Sequence, residues 1–562
     1  MNAKASPERG RIELMPYVVG AICVVIALAF LIYPLAYSML GAFVQKGEEI
    51  SLDTLTLAHF ERFFVSVSYK RALWNSIVAG GLSTLLAGAL ALPMAYAVAR
   101  VAIPFRALIL SLSVVPLISP PFIGAYAWII LVGNNGVISQ LLRDHLAIDL
   151  PSIYGSFGVV VALALSYFPY VFLIVQGALA AADPYIEEAA RVMGASRPHI
   201  LRTITFPIIF PSIAAGMLIV FIKAVGDFGV PSILGGEFQV LPTLIYYQIH
   251  GFYNLNGAAA IAMVNVLLTV IALGLLHTIN RGRQYATITG VTRAARQSTG
   301  LGARVAANLC CWTILVIAIL PQATIVFSSF AERWAGTLLP SVYGFEHYRR
   351  IYANLVQPII NSLLLSGAAT AVCIVFGTVS AYAAIRGKVK ARWALDLTIM
   401  LPFVLPGLVV GVAYLTAFNS GWLVLTGTGA IIVLAYFTRR VAFIFRSVSA
   451  AISQIDAKLE EASTICGASW VQTMRRVTIP LIAPGILAGG ILVFSTLVGE
   501  VSATVLLFSA RWKTISITIY ELVLGGELFK ASAVGTIAIV MTAGLVLLAS
   551  RLAGRNIADM FR

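Results

Sequence analysis

Long apolar segments separated by short polar ones dominate this chain of 562 residues. A run of about 20 apolar residues is long enough to cross a bilayer as a helix. The pattern predicts twelve such spans, six in each half, and therefore an all-α polytopic membrane protein. We place them near residues 15–43, 73–99, 107–132, 155–180, 208–231 and 257–279, and near 308–330, 360–385, 394–418, 428–450, 484–508 and 532–551.

The second half of the chain repeats the first. The pair Asn75-Ser76 recurs as Asn361-Ser362, which lie 286 residues later. Because each half contains an even number of spans, both halves cross the membrane in the same direction, as two parallel six-helix repeats. We assign residues 1–280 to the first repeat, 281–305 to a cytoplasmic linker and 306–562 to the second repeat.

Composition and charge agree with a membrane location. The chain is 60% hydrophobic and only 11% charged, so a soluble domain could not bury its apolar surface. The net charge of +15 comes from Lys and Arg residues concentrated in alternate loops, which is the positive-inside pattern. This layout predicts a multi-pass protein of the bacterial inner membrane, with lipid around it and both termini cytoplasmic. It also argues against a nucleic-acid partner.

One polar segment occurs twice. Residues 187–207 read EEAARVMGASRPHILRTITFP and residues 460–480 read EEASTICGASWVQTMRRVTIP, in register without a gap. An Asp precedes each copy by a few residues, at Asp183 and Asp456, and favours the start of a helix. Gly194 and Gly467 favour its end, because glycine readily adopts the left-handed conformation. Each half is therefore predicted to present one short helix that ends at a glycine.

The pattern EAA-x3-G-x9-I-x-L-P resembles the coupling loop of binding-protein-dependent ABC importer permeases. The first copy reads Glu188-Ala-Ala with Gly194, and the second reads Glu461-Ala-Ser with Gly467. The departures are mild, Phe206 for Leu and Ser for the second Ala of the second copy. The resemblance covers the whole chain, so it implies two permease units fused into one polypeptide with the type I ABC importer transmembrane fold.

The resemblance implies partners and roles. The coupling loops at 183–207 and 456–480 would dock onto two copies of a cytoplasmic ABC ATPase subunit, and a periplasmic binding protein would deliver substrate. The expected coupling residues are Glu187, Glu188, Ala189, Gly194, Glu460, Glu461, Ala462 and Gly467. The sequence contains no GxxxxGK[ST] phosphate-binding loop, so the partner would use the ATP. We therefore expect no enzyme activity and no cofactor in this chain.

Charged residues inside predicted spans are candidates for function, since burying them in lipid is costly. Asp227 and Glu500 occupy matching positions of the two halves. Lys223 precedes Asp227 by four residues and is predicted to pair with it on one helical face. Arg439 and Arg440 are candidate partners of either acid. These residues form either structural ion pairs or, together with the two acids, the lining of a translocation path.

Prolines interrupt equivalent spans of the two halves. Pro116 and Pro120 correspond to Pro402 and Pro406, 286 residues later. Proline removes a helical hydrogen bond and bends the helix. Such breaks either expose backbone groups to a central cavity or serve helix packing.

The substrate is inferred from local phrases. DFGVPSILGG with LPTLIYYQI, and GEVSATVLLF with TISITIYEL, look most like the ferric-iron class of fused permeases. Thiamine, phosphonate, sugar phosphate and polyamine permeases have a similar layout and remain alternatives. A secondary transporter is a more distant one, since it gives no reason for the duplicated loop. No predicted span carries the residues of an intramembrane enzyme.

Overall fold

The computed structural model describes residues 19–553, except for residues 49, 281–299, 335, 336, 338, 387–391 and 422. The first half contains α-helices Val19–Gly41 (with a π-helical turn at Leu28–Ile32), Ala58–Val65, Val67–Arg100, Arg106–Leu112, Val115–Ile118, Pro121–Val132, Val137–Leu146, Ser156–Ala181, Pro184–Val192, Arg197–Ile200, Phe206–Val225, Gly229–Leu234, Leu241–His250 and Leu255–Asn280, a π-helical turn Leu201–Thr205 and a 3-10 turn Leu52–Thr54.

The second half follows the same order. It contains helices Leu301–Ser328, Glu346–Asn354, Val356–Ile385, Arg392–Val404, Gly407–Ala417, Gly429–Ser453, Lys458–Ile465, Trp470–Thr473, Ile479–Val498, Thr504–Leu507, Ile515–Leu524 and Leu528–Ala553, a π-helical turn Met474–Thr478, a 3-10 turn Ala510–Trp512, and a small antiparallel hairpin of Ala331–Arg333 with Val342–Tyr343. Residues 281–299 of the predicted linker lie outside the described part of the chain.

The helices confirm a polytopic membrane protein. Within the described residues, ten helices are long and apolar enough to cross a bilayer, and a bent pair makes eleven. The sequence pattern predicts twelve. The additional predicted span corresponds to helix Gly429–Ser453, which has 25 residues but carries Arg439, Arg440 and Arg446. These three charges, rather than its length, separate it from the apolar helices.

The proline-rich spans are broken in both halves. Helices Trp393–Val404 and Gly407–Ala417 meet at an angle of 108°. In the first half the chain forms two short helices, Arg106–Leu112 and Val115–Ile118, before helix Pro121–Val132. Proline cannot donate the backbone hydrogen bond that a continuous helix needs, so both breaks fall where the sequence places prolines.

The first helix of each half packs against the other half. Cys23, Ala27 and Leu31 belong to the same buried cluster as Tyr414 of the second half. Helix Leu301–Ser328 reciprocates, because its buried face joins the cluster formed by first-half helices such as Val67–Arg100. This exchange makes the two halves one packed unit around their shared interface.

Pro34 explains how the first helix is fixed there. Proline has no amide hydrogen to donate to the Phe30 carbonyl four residues earlier, so this oxygen is left without a helical partner beside the π-helical turn Leu28–Ile32. Tyr414 Oη donates to this oxygen at 2.6 Å and Thr438 Oγ1 donates at 3.3 Å. A buried backbone carbonyl needs such partners, so the free Phe30 carbonyl specifies where the exchanged helix sits.

Candidate functional site

Each copy of the duplicated segment forms a short helix, Pro184–Val192 and Lys458–Ile465, and we call these two the motif helices. An aspartate stands at the start of each. Asp183 Oδ1 accepts a hydrogen bond from the Tyr185 amide at 2.9 Å, and Asp456 Oδ1 accepts one from the Lys458 amide at 3.0 Å. The carboxylates satisfy amide groups that have no partner within the helix.

Glycines end both motif helices. Gly194 has φ +88° and Gly467 has φ +84°, the left-handed region that other residues rarely adopt. The amide of Ala195 donates to the Ala190 carbonyl at 3.0 Å, and the amide of Ala468 donates to the Ser463 carbonyl at 3.1 Å. This is the Schellman closure, and it sets the angle at which each motif helix meets the following span.

The first glutamate of the first motif helix points inward. Glu187 Oε1 lies 2.9 Å from Arg100 Nη2, and the two side chains are only 14% and 7% exposed. Arg100 also donates to the Leu179 carbonyl at 3.0 Å, and Thr205 Oγ1 donates to Glu187 at 3.0 Å. The motif helix is therefore tied to the ends of three neighbouring helical segments.

The second half repeats this junction. Arg386 Nε lies 3.5 Å from Glu460 Oε1, and Arg386 Nη2 also donates to the Ile452 carbonyl at 3.4 Å. Thr478 Oγ1 donates to Glu460 at 3.1 Å, and Tyr382 adds a further hydrogen bond at 3.2 Å. Thr205 and Thr478 both close π-helical turns, so a rare local geometry recurs at equivalent positions.

The outer ends of the motif helices are apolar and exposed. Val192 is 85% exposed and its counterpart Ile465 is 86% exposed, and Met193 beside Val192 is 87% exposed. Ala189 and Ala462 are also exposed and present no bulky side chain. Glu188 is half-buried and Glu461 is exposed. Each motif helix thus offers a small apolar surface beside an acidic residue, a composition suited to binding another protein.

A cavity of about 450 Å³ lies between the two halves. Its wall includes the proline breaks of both halves and the residues that follow helices Phe206–Val225 and Ile479–Val498. The charged residues of the wall are Lys223, Asp227, Arg439, Arg440 and Glu500. All five intramembrane charges that the sequence singles out are therefore brought together in one place.

Equivalent contacts join the halves beside this cavity. Gly226 of the first half packs on Pro406 of the second, where an added Cβ would lie 3.1 Å from the proline Cβ. Gly499 of the second half packs on Pro120 of the first, where an added Cβ would lie 2.5 Å from the proline Cγ. A side chain at Gly499 would collide with Pro120, and one at Gly226 would force Pro406 to shift by a few tenths of an ångström, so a proline of each half rests closely against a glycine of the other.

Glu500 forms the central ion cluster. Its Oε2 contacts Arg439, and Arg440 Nη2 donates to the same oxygen at 3.2 Å. Its Oε1 accepts a hydrogen bond from the Ala503 amide at 3.2 Å. All three charged side chains are at most 13% exposed. One buried carboxylate is therefore shared by two guanidinium groups.

Asp227 does not pair with Lys223, contrary to the prediction from their spacing. Helix Phe206–Val225 ends before Asp227, so the two residues do not share a helical face. Asp227 accepts hydrogen bonds from Tyr167 Oη at 2.7 Å and from the Val230 amide at 2.8 Å. The spans predicted to run to 231 and 508 likewise end at Val225 and Val498, and each acid then holds the amide of a following short helix.

Sequence reasoning missed several residues of these sites. From the sequence, Arg100 and Arg386 are only two of the many positive charges near the ends of predicted spans. In the structure they anchor the motif helices. Their equivalent positions in the repeat, 286 residues apart, are the signal that could have identified them. Tyr167 offered no such signal, because it is the first-half counterpart of Arg440 and differs from it in chemistry.

Two equivalent helical halves around a shared cavity, each with an exposed short helix, define a transport permease. The family described as binding-protein-dependent transport system inner membrane component matches the chain twice, over residues 87–284 and 373–560. The chain belongs to this family and is the multi-pass, inner-membrane permease of an ABC importer, made of two repeats. It is not itself catalytic, and an importer of this kind works with an ATPase and a substrate-binding partner.

Similar proteins include permeases that align with nearly the whole of this chain and permeases that align with less than half of it. The ferric transport system permease protein FbpB of Actinobacillus pleuropneumoniae is 28% identical over 94% of this chain and 77% of its own length. The putative ferric transport system permease protein FbpB 1 of Haemophilus influenzae is 29% identical, covering 88% of this chain and 78% of its own. A putative 2-aminoethylphosphonate permease, PhnV of Salmonella typhi, is 30% identical over 43% of this chain and 92% of its own length.

Proposed function

We propose that this chain forms the translocation path of a ferric-iron importer and that two copies of a separate ATPase subunit drive it through the motif helices. The exposed apolar ends at Val192 and Ile465 carry this proposal, because they occur once per half at equivalent positions. A pair of matched surfaces fits a pair of identical partners. Glu188, Ala189 and Gly194, with Glu461, Ala462 and Gly467, would form the docking surface, and ATP would bind only to the partner.

The buried glutamates take a different role in this proposal. Glu187 and Glu460 fasten each motif helix to the ends of its neighbouring helices through Arg100 and Arg386. A push on a motif helix would therefore move the attached spans together, since the junction is buried and hydrogen-bonded. Movement of the two halves would open and close the cavity that contains Asp227, Glu500, Arg439 and Arg440.

Docking can be tested at the two most exposed apolar positions. The double variant Val192→Asp and Ile465→Asp should lose co-purification of the ATPase subunit and ATP-driven uptake by at least about tenfold. Central apolar anchors of an interface typically contribute about 2 kcal/mol each, and each 1.4 kcal/mol is a factor of about ten. Both side chains are more than four-fifths exposed, so the thermal stability of the permease should not change.

A matched control uses exposed apolar residues far from the motif helices in sequence. Leu339→Asp and Tyr352→Asp alter side chains that are 58% and 84% exposed and should leave ATPase binding intact. Normal co-purification of the ATPase with the Val192 and Ile465 double variant would contradict the docking proposal.

The proposed orientation places both termini and the motif helices in the cytoplasm. Reporter fusions after residues 190, 290 and 465 should be active on the cytoplasmic side, and fusions after 55, 240 and 345 on the periplasmic side. The expectation rests on the positive-inside distribution of Lys and Arg. A periplasmic signal at 290 would overturn both the orientation and the parallel arrangement of the repeats.

Iron is the proposed substrate because the two ferric permeases above align with nearly the whole chain. A phosphonate is the second candidate. One relative named for 2-aminoethylphosphonate matches about half of the chain, and the cavity wall holds more cationic than anionic side chains. Uptake of ⁵⁵Fe and of radiolabelled 2-aminoethylphosphonate by cells with and without the permease distinguishes them, and iron uptake that does not depend on the permease would overturn the first proposal.

A further inference from the structure

Every carboxylate oxygen of the cavity already accepts a hydrogen bond or an ion pair. Both oxygens of Asp227 accept hydrogen bonds, one from Tyr167 and one from the Val230 amide. Both oxygens of Glu500 are also engaged, one by the two arginines and one by the Ala503 amide. A hard cation that entered this cavity would have to share oxygens that are already engaged, and at Glu500 it would compete with two arginines.

The unused polar groups of the cavity are donors with positive charge. Arg440 Nε has no hydrogen-bond partner although the Arg440 side chain is only 9% exposed. Among the described residues, Lys223 has neither an ion pair nor a hydrogen bond, and it lines the same cavity. Ammonium and guanidinium groups can donate hydrogen bonds but cannot accept them. Lys223 therefore calls for an acceptor in the cavity, whereas Arg440 Nε is enclosed by its neighbours and would reach one only after a shift of the side chain.

The net charge of the wall points the same way. Three cationic side chains, Lys223, Arg439 and Arg440, face two carboxylates. Electrostatic interactions are strong where water is scarce, so a bare trivalent cation would be repelled at this depth. The described part of the chain also contains no group of three or more His, Cys, Asp or Glu residues that could hold a metal ion. Tyr167, a residue type able to bind ferric iron, is already hydrogen-bonded to Asp227.

We infer that Lys223 and Arg440 form an anion site in the translocation path, and that the substrate crosses as an oxyanion or with oxyanion ligands of the carboxylate or phosphate class. The inference rests on the proposed function, and for an iron importer it means that iron passes as an anionic chelate rather than as a bare ion. The cavity volume of about 450 Å³ is in the range of small-molecule sites.

The anion site is asymmetric. The second-half counterpart of Lys223 is Thr496, and the first-half counterpart of Arg440 is Tyr167. Neither counterpart carries a positive charge. The two halves therefore contribute different groups to one site, although their folds repeat. Such a site would bind one anion at a time and would hold it away from the symmetry axis of the two repeats.

Anion binding can be measured without iron. Purified permease should show a higher Tm in citrate or phosphate than in chloride at equal ionic strength, because a ligand that binds only the folded state stabilises it. Lys223→Gln should weaken this effect by at least about tenfold in anion concentration, whereas Lys223→Arg should preserve it. Thr496→Val is the matched control at the equivalent position and should behave like the wild type. An equal Tm response in wild type and Lys223→Gln, or none in the wild type, would overturn the anion site.

Transport assays test the anion site and the identity of the substrate independently of each other. In proteoliposomes with the ATPase and binding protein, ⁵⁵Fe supplied with ¹⁴C-citrate or ³²P-phosphate should enter together with labelled anion, and Lys223→Gln should slow uptake by about tenfold. Iron entry without either anion, at a rate independent of Lys223, would support the iron importer and contradict the anion site. Uptake of radiolabelled 2-aminoethylphosphonate but not of iron, with the same dependence on Lys223, would contradict iron and support the anion site.

Discussion

A permease that carries both Glu188→Lys and Glu461→Lys is expected to lose ATP-driven uptake by at least about tenfold while remaining folded and inserted. Each substitution reverses a charge on the surface proposed to contact the ATPase, and unfavourable charges at an interface cost several kcal/mol. Neither glutamate takes part in the buried junction, since Arg100 and Arg386 contact Glu187 and Glu460 instead. The measurements are substrate uptake, ATPase co-purification and thermal stability of the same preparations.

The neighbouring glutamates supply the control. Glu187→Ala with Glu460→Ala leaves two largely buried arginines without their carboxylate partners, which typically costs about 3–5 kcal/mol for each broken pair. This variant should lose thermal stability together with uptake. Full uptake by the Glu188 and Glu461 double variant would contradict the role of the motif helices in coupling. A large loss of stability in that variant would instead show that these two residues hold the fold.

The repeat could be predicted from the sequence because it is a property of residue spacing. The motif helices, their aspartates and their terminal glycines follow from local rules, and the structure has Asp183, Gly194 and Gly467 in the expected geometry. Local rules apply here because these helices are short, polar and determined by their own ends. The proline breaks were likewise predictable from residue type.

Contacts between distant segments could not be predicted in the same way. The spacing of Lys223 and Asp227 predicts an ion pair only if one helix contains both, and Gly226 ends that helix first. Similarly, nothing local indicates that the first helix packs against the other half, because its apolar surface could face lipid or protein equally well. The decisive feature is the Phe30 carbonyl, whose partners Tyr414 and Thr438 lie 384 and 408 residues away.

The structure gives the two intramembrane acids different roles, and it pairs Arg439 and Arg440, candidate partners of either acid, with Glu500. The sequence gives Asp227 a nearby lysine, but the ion pairs belong to Glu500, which contacts Arg439 and Arg440. Glu500 therefore balances charge in the cavity, whereas Asp227 acts mainly as a hydrogen-bond acceptor. Both remain proposed as residues of the translocation path, with different expected responses to neutralisation.

Glu500→Gln is expected to destabilise the permease strongly, and Asp227→Asn is expected to have little effect. The first change leaves two adjacent buried guanidinium groups without a counter-ion, at a cost of roughly 3–5 kcal/mol. The second preserves an acceptor for the Val230 amide and a group that can hydrogen-bond with Tyr167, so about 1 kcal/mol or less should be lost. Thermal unfolding of the two variants in detergent, compared with the wild type, measures the difference.

A double variant identifies the cause of the expected loss. Adding Arg439→Gln to Glu500→Gln removes one of the two uncompensated charges, so it should recover part of the lost stability, as expected for residues in direct contact. Adding the same change to Asp227→Asn should recover nothing, because Arg439 contacts Glu500 and no ion pair joins it to Asp227. Equal stability of Glu500→Gln and Asp227→Asn would contradict the ion cluster. Recovery of stability without recovery of uptake would show that Glu500 or Arg439 also acts in the path, since charge balance would then be restored while transport still failed.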